Sequence, residues 1–523
     1  MGSFWSPTPR AAADSVTVFV GSELSQLDPH YAISYADHLA VNALHLGLTT
    51  YNEYGNLIPG LAESWIISGD SLTYTFTLKP GASWSDGRAI TGDDFVAGIR
   101  RALDPDRPTP FAAKLFVIAD AEAFQTESMA QGRSLGVVAP DRRTVVFTLG
   151  RRDVDFLHIL SHPVAKPTPA LDPDAVATGR ITSGPYQLTA QQGSRVDLVP
   201  REEGPTLRLE PADSVDQVWI DSEESGAFVT AALPIVSTPR AGRRGADIRR
   251  DGGDALYAYA VNTTRTPLNT LEARHALSMA IHRPEVMRRN PVAGASPATQ
   301  FVSPSAMTYA RPYRTPFASL TLEEREAVAA ALLSEHDYGV DNRFTVKLRV
   351  PSGDIHTEIA SVVAEMWARA GIDTEIVTAP LHEHWQALAD GDFDVAFVSW
   401  PGRRDTPRSS LEPLSRAGGP WNWPRYDFPD FSERLERAAE SRKDEVRAGQ
   451  YREAEKALIE DQTLLALFFY QPLALVSSSV GGWQTNAAGL HPLGALSVIS
   501  TTQKPSLSRP ALPKAAPSIG TDQ

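Results

Sequence analysis

The sequence predicts a mixed α/β protein of more than one domain, and three observations lead there. Its 523 residues exceed what one ordinary core accommodates, and a prior of ~150 residues per domain gives roughly two to four units. The run Leu72–Leu78 (Leu-Thr-Tyr-Thr-Phe-Thr-Leu) alternates strictly, as a half-buried strand with threonine on one face does. Farther along, Thr345–Val350, Ile355–Ala370 and Asp373–Val377 read as strand, helix and strand.

The remaining elements follow in order. Val16–Val20 is a β-branched run closed by Gly21, hence a strand, and Ala36–Leu46 has helical spacing. Asp93 is placed to cap a helix from about Asp94 to Leu103. Arg143–Leu149 alternates again as a strand. Val215–Ile220 and Ala258–Asn262 read as strands, and Asn269–Ile281 as a helix. Asp394–Val398 is a strand, Phe431–Leu458 a charged helix, and Leu464–Tyr470 an apolar strand. From Gln503 to Gln523, four prolines and few large apolar residues predict a disordered tail.

Composition removes several function classes. Apolar residues make up 42% of the chain, enough for extensive burial. A formal net charge of −14 argues against non-specific nucleic-acid binding, which requires an excess of cations. With no cysteine there is no thiol nucleophile, thiolate metal site or cysteine-linked lipid anchor. No run of about 20 apolar residues is present to span a bilayer. Met1–Arg10 lacks the charged-then-apolar pattern of an export signal. Ala11-Ala12-Ala13 suits the residues that follow a cleaved leader, and a cytosolic chain is the competing reading.

Enzyme signatures fail on context. Gly132-Arg-Ser134-Leu-Gly136 matches the serine-nucleophile elbow, but that motif needs a strand before it and a helix after it. Here the order is reversed, and a plain turn is expected. His158 and His162 have helical spacing for a metal but no third ligand nearby, and Pro163 ends the helix. His382-Glu383-His384 lacks metalloprotease spacing and reads as a solvated helix start. No catalytic residue, metal site or cofactor is expected.

An ordered series of segments instead resembles the family-5 extracellular solute-binding proteins, which include peptide-binding components of ABC importers. The series opens with Gly21-Ser-Glu23-Leu-Ser-Gln-Leu-Asp28-Pro29-His30 and Gly47-Leu-Thr-Thr-Tyr51. It continues through Gly55-Asn-Leu-Ile-Pro59-Gly60-Leu61-Ala62-Glu63-Ser64-Trp65, Tyr74-Thr-Phe-Thr-Leu78 and Trp84-Ser85-Asp86-Gly87. Asp94-Phe95-Val96, Arg101-Ala-Leu-Asp104-Pro105, Ser183-Gly184-Pro185-Tyr186, Asn262 with Pro267-Leu268, Arg274–Arg283, Phe393-Asp394 and Trp400 complete it. Most of these residues also have a scaffold reading. Trp84 belongs in a core, and Asp86 ties its own turn through side-chain hydrogen bonds.

The resemblance implies a two-lobed type II-like periplasmic binding protein fold (cluster C), with an extra domain inserted in the first lobe. The implied division is 14–43, 178–262 and 473–502 for lobe I, 44–177 for the inserted domain, 263–472 for lobe II, and 503–523 for the tail. It implies export to the periplasm, a small-molecule ligand that is peptide-like or anionic, an ABC permease as partner, a monomer and no enzymatic activity. Ligand is enclosed as the lobes close.

Five residues are candidate ligand contacts. Glu23 stands where the family presents an acidic residue to the cleft; without the resemblance it is a surface-loop carboxylate. In the peptide binders a Trp is followed three residues later by an Asp that pairs with the ligand ammonium, with a Pro four residues beyond. Trp400-Pro-Gly-Arg403-Arg404-Asp405-Thr-Pro407 keeps the Trp and the Pro but carries Arg403 at the aspartate position. A guanidinium repels a buried ammonium and binds carboxylate or phosphate through its fork. An anionic or N-blocked ligand, Asp405 in the missing role, or an Arg403 that faces elsewhere are the three readings. Asn422 is a weaker candidate. The stretch from Pro200 to Asp254 also departs from the family, having lost its Gly-Glu-Ile-Asp motif beside the cleft. A degenerate member with a decayed cleft, acting as a sensor or protein-interaction partner, is the alternative function.

Overall fold

The computed structural model describes residues 15–21, 23–24, 26–107, 109–126, 132–212, 227–231, 246–250, 254–292, 295–303, 313–400, 407–415, 422–425, 429–471, 473–484 and 491–499. Three sheets organise these residues. A seven-stranded sheet has the order Ala246–Arg250, Leu473–Ser477, Phe228–Ala231, Ser15–Val20, Thr206–Pro211, Arg195–Pro200, Tyr186–Gln192. Its apolar middle strand, Ser15–Val20, runs parallel to both neighbours and sits in a core with Leu39, Tyr186, Val229 and Trp483.

A six-stranded sheet has the order Ser296–Pro297, Leu464–Tyr470, Ala255–Val261, Val395–Trp400, Phe344–Pro351, Ile372–Ala379. Ala255–Val261 and Leu464–Tyr470 are buried along their whole length, so each face carries its own core: Trp367, Ile359 and Val346 lie on one side, and Phe393, Leu411, Leu435 and Leu458 on the other. Ala255–Val261, which the division from sequence places in lobe I, lies in the middle of this second sheet. Pairing is the cause, since Leu256 faces Trp400 on one side and Phe469 on the other.

Residues between these lobe I strands form a third unit. Its antiparallel sheet has the order Ala62–Ile67, Thr73–Leu78, Thr144–Thr148, Val137–Asp141. In the alternating strand Thr73–Leu78, Tyr74, Phe76 and Leu78 turn into a core with Trp84, Phe95 and Phe147, and the threonines turn outward. Arg101 of this unit joins it to the first lobe by donating to Asp28 at 2.6 Å, and it is held within its own unit by Asp174 at 2.9 Å. Gly60 and Gly184 are glycine because a Cβ there would lie 2.4 Å from Gly47 O and 2.6 Å from Ala43 O.

Most expected elements appear within a residue or two of their predicted bounds, with three differences. The helix after Thr91 spans Gly92–Ala102, and its start is set by Thr91 rather than Asp93, with Asp94 Oδ2 accepting from Thr91 N at 2.8 Å. The charged helix expected over Phe431–Leu458 is two helices, Pro429–Glu440 and Asp444–Asp461. Arg447 Nη1 donates to Ser441 O at 3.0 Å and fixes the break. His384 is not solvated: it is fully buried, 2.9 Å from Phe397 O through Nε2. The expected strand Val215–Ile220 and the tail after residue 503 lie outside the described residues.

Trp84 is in the core, with Nε1 3.2 Å from Asp94 Oδ2, and Asp86 accepts from Arg88 N and Nε at 3.0 and 2.7 Å. Gly132–Gly136 is irregular chain leading into the strand Val137–Asp141. His158 is engaged by the Tyr51 hydroxyl at 2.7 Å, and His162 Nδ1 accepts from Val164 N, as helix-end side chains do. Among the described residues no group of three or more His, Asp or Glu stands together as a metal site.

Candidate functional site

The candidate site follows from how the chain passes between the two large sheets. Among the described residues it does so twice, from Ala246–Arg250 to Ala255–Val261 and from Leu464–Tyr470 to Leu473–Ser477. The strands at either end pair antiparallel, Arg250 with Leu473 and Ala255 with Tyr470, so the two crossings leave each sheet as neighbours; residues 251–253 and 472 lie outside the described residues. Gln471 Nε2 donates to Asp254 Oδ1 at 3.0 Å and links the two crossings.

Strand direction then fixes what flanks the crossing. In the second sheet Phe344–Pro351 runs parallel to Ile372–Ala379 and to Val395–Trp400. All three end at the edge from which the crossing segments leave, because Trp400 faces Leu256 and Ser399 Oγ lies 3.0 Å from Tyr470 Oη. In the first sheet Ser15–Val20 and Phe228–Ala231 are parallel, and Val229 pairs with Val476 of Leu473–Ser477. Their carboxyl ends therefore point toward the same crossing. Ligands of α/β sheets bind outside the carboxyl ends of the strands, where loops and helix N-termini converge. Here two such edges are brought together.

Trp400 is the last residue of its strand on this edge of the second lobe. Glu23 is exposed, three residues beyond the end of Ser15–Val20 on the first lobe. The structure thus puts Glu23 and Trp400 on the two edges that flank the crossing. Arg403 and Asp405 lie outside the described residues. Asn422 is buried in a turn whose Pro424 carbonyl accepts from Thr263 N and Oγ1 at 3.1 and 2.9 Å. Thr263 follows Val261, which pairs with Val395, so this turn is anchored at the amino end of the strand that ends at Trp400.

On one face of the strand that ends at Trp400, the face of Val395 and Phe397, the second lobe is built of neutral rings. Tyr257 Oη is 3.2 Å from His356 Nδ1, and both rings pack on Phe397 at 4.6 Å between centroids. The helices carrying His356 and His384, Asp354–Arg369 and Leu381–Asp390, begin at the carboxyl ends of Phe344–Pro351 and Ile372–Ala379. Burial pushes both imidazoles down to about 4, so they are neutral at physiological pH. These rings are enclosed in the core of the second lobe and stiffen the strand that ends at Trp400.

Several residues that shape the site were not singled out from sequence. Asp254, Gln471, Ser399 and Tyr470 act through partners far away in the chain, and no local spacing announces them.

The profile of the bacterial extracellular solute-binding proteins, family 5 Middle, matches residues 56–422. The chain belongs to this family. Its members are binding proteins of the extracytoplasmic space and not enzymes. The periplasmic murein peptide-binding protein MppA of Escherichia coli (strain K12) is 27% identical over 503 residues, covering 92% of each chain. The periplasmic oligopeptide-binding protein OppA of the same strain is 26% identical over 492 residues, covering 88% of each. Among solved structures, the Escherichia coli murein tripeptide binding protein MppA superposes with a TM-score of 0.84 at 24% identity, over 94% of this chain and 100% of that one. Haemophilus influenzae OppA in complex with the peptide RPPGFSPFR gives 0.84 at 21% identity, over 93% of this chain and 99% of that one. The unliganded open form of MppA gives 0.64 at 24% identity, over 94% of this chain and 98% of that one. The fold is the two-lobed one expected from the motif series.

Proposed function

We propose that this chain captures a peptide-like or anionic small ligand between its two lobes, leaves it chemically unchanged, and delivers it to an ABC permease from the periplasm. The observation that carries the reading is the pair of facing carboxyl edges joined by two adjacent crossing segments. That construction permits hinge closure with little disturbance of either core. Glu23 offers a carboxylate from one lobe, and Trp400 walls the ligand from the other. Arg403 fixes an anionic group, or Asp405 takes the ammonium that the family's aspartate otherwise holds. Asn422, anchored away from Trp400, supports the second lobe rather than leading recognition.

Relatives bracket this ligand range. Their names include murein peptide-, oligopeptide- and dipeptide-binding proteins, and also a probable deoxycholate-binding protein of Escherichia coli, 26% identical over 506 residues. Deoxycholate carries a carboxylate and no amine, which is the chemistry that an arginine at position 403 favours. The test is native mass spectrometry of the chain incubated with matched pools of free-amine and N-acetylated short peptides. The reading expects capture, with the N-acetylated or acidic members retained preferentially. A chain that retains no small molecule but holds a protein partner from its source supports the decayed-cleft alternative.

A further inference from the structure

A cluster of buried charges spans the inserted unit and the second lobe, beside the cleft and outside it. From the inserted unit come Lys114, in the turn Ala112–Val117, and Asp153 and Asp155, just ahead of the helix Phe156–Ile159. From the second lobe come Arg408, in the helix Pro407–Leu411, and Glu412, in the turn that follows. Arg408 Nη1 lies 2.7 Å from both carboxylate oxygens of Asp153 and 3.5 Å from Asp155 Oδ2, while Nη2 donates to Glu412 Oε1 at 3.1 Å. Lys114 Nζ reaches Glu412 Oε2 at 2.7 Å. The Asp153 side chain is completely enclosed and Arg408 is 12% exposed.

The same two bodies meet along a continuous seam. Val154 N donates to Ala439 O at 3.1 Å, Arg151 pairs with Glu436 at 3.0 Å, and Arg442 Nη2 donates to Gly69 O and Ser71 Oγ at 2.8 and 2.9 Å. Burial works against ionisation of Glu412, yet Lys114 and Arg408 hold its carboxyl down to about 2.

We propose that this cluster is a latch: Arg408 and Lys114 pair across the seam only when the inserted unit and the second lobe have come together, and the latch sets the balance between closed and open molecules. The proposal rests on the reading that the lobes close on a ligand. When the seam opens, each charge regains water. When it shuts, the carboxylates and cations neutralise one another at a cost in desolvation, so loss of one partner strands the other in the interior. A ligand shifts the balance only by its differential affinity for the two states, so a latch that favours closure strengthens apparent affinity for any guest. Arg408 follows Trp400 by eight residues in the chain.

The absence of native cysteine allows a direct test. Val138→Cys on the inserted unit and Val340→Cys on the second lobe, both at exposed positions, carry nitroxide labels whose separation is read by double electron–electron resonance on the full chain without added ligand. We expect one dominant distance in the parent. Arg408→Ala is expected to raise the ratio of open to closed molecules about tenfold or more. Lys114→Ala raises it less, and ~1 M NaCl in the parent moves it in the same direction. Should Arg408→Ala fail to fold, Lys114→Ala and the salt series report the same quantity. Unchanged distances in variants that melt like the parent overturn the latch. A chain that shows the shift but captures no peptide keeps the latch and loses the receptor reading, and capture with unshifted distances does the reverse.

Discussion

The side-chain amide of Gln471 donates to Asp254 Oδ1 at 3.0 Å, so the two segments that cross between the lobes are tied to each other as well as to their sheets. Asp254 Oδ2 also accepts from Ser303 Oγ at 2.5 Å, which anchors the crossing to the second lobe. Gln471→Glu would set two carboxylates against each other here. We expect it to cost about 1–3 kcal/mol of unfolding free energy near neutral pH. The deficit relative to the parent should shrink as the pH falls through about 4, where one carboxyl takes a proton. Urea unfolding at both pH values measures this; a deficit independent of pH contradicts the hinge assignment.

Four of the five histidines buried among the described residues give the molecule an acid limit. Burial, the largest cause in each, lowers His30, His356 and His384 to about 4 and His45 to about 3. Their ordinary value is near 6.5, so below it the unfolded chain binds protons that the folded chain refuses. Stability is therefore full above about 6.5 and is lost as the pH falls toward 4, by up to about 1.4 kcal/mol per pH unit for each histidine. Urea midpoints from about pH 7 to 4 should fall steeply, and His356→Gln should flatten the slope by one proton. A flat profile contradicts the burial of these rings.

Lys166 carries the same kind of liability in a higher pH range. It is 1% exposed, and burial lowers its ammonium to about 7. Its neighbour His45 is buried with both ring nitrogens unpartnered. Between about 7 and 10.4 the unfolded chain holds a proton that the folded one releases, so stability from this group rises with pH. Lys166→Met is expected to stabilise the protein at about pH 7 by about 1–3 kcal/mol, with the gain fading toward pH 10. Thermal melts across that range decide it, and destabilisation at neutral pH would show that the ammonium has a favourable partner.

Arg403→Asp restores the family's acidic residue after Trp400. We expect capture of an anionic or N-blocked ligand to weaken about tenfold or more, and tolerance of free-amine peptides to improve. Calorimetry with both ligand types measures the exchange. Unchanged affinities would remove Arg403 from the recognition chemistry.

Much of this was legible in the sequence where the signal is local. Leu72–Leu78 announced its strand through strict alternation, and Pro59-Gly60 and Ser183-Gly184 mark places where backbone lies too close for a Cβ. The motif order carried the family, and with it the cleft between lobes. Features set by distant partners were hidden. His384 looked like a solvated residue at a helix start because its partner, the Phe397 carbonyl, belongs to a strand after the helix ends. Ala255–Val261 carries no mark of which lobe will recruit it; the choice is made by Leu464–Tyr470, two hundred residues later in the chain. Nothing local to Asp153 or Arg408 announces that the fold buries the two charges against each other.

The central claim is that the two lobes close around a guest they do not alter. Small-angle scattering tests it most directly, on protein stripped by unfolding and refolding and then measured with and without the retained peptide pool. The account predicts a smaller radius of gyration with the pool present, and peptides recovered intact. Identical scattering curves with peptide demonstrably bound would contradict it.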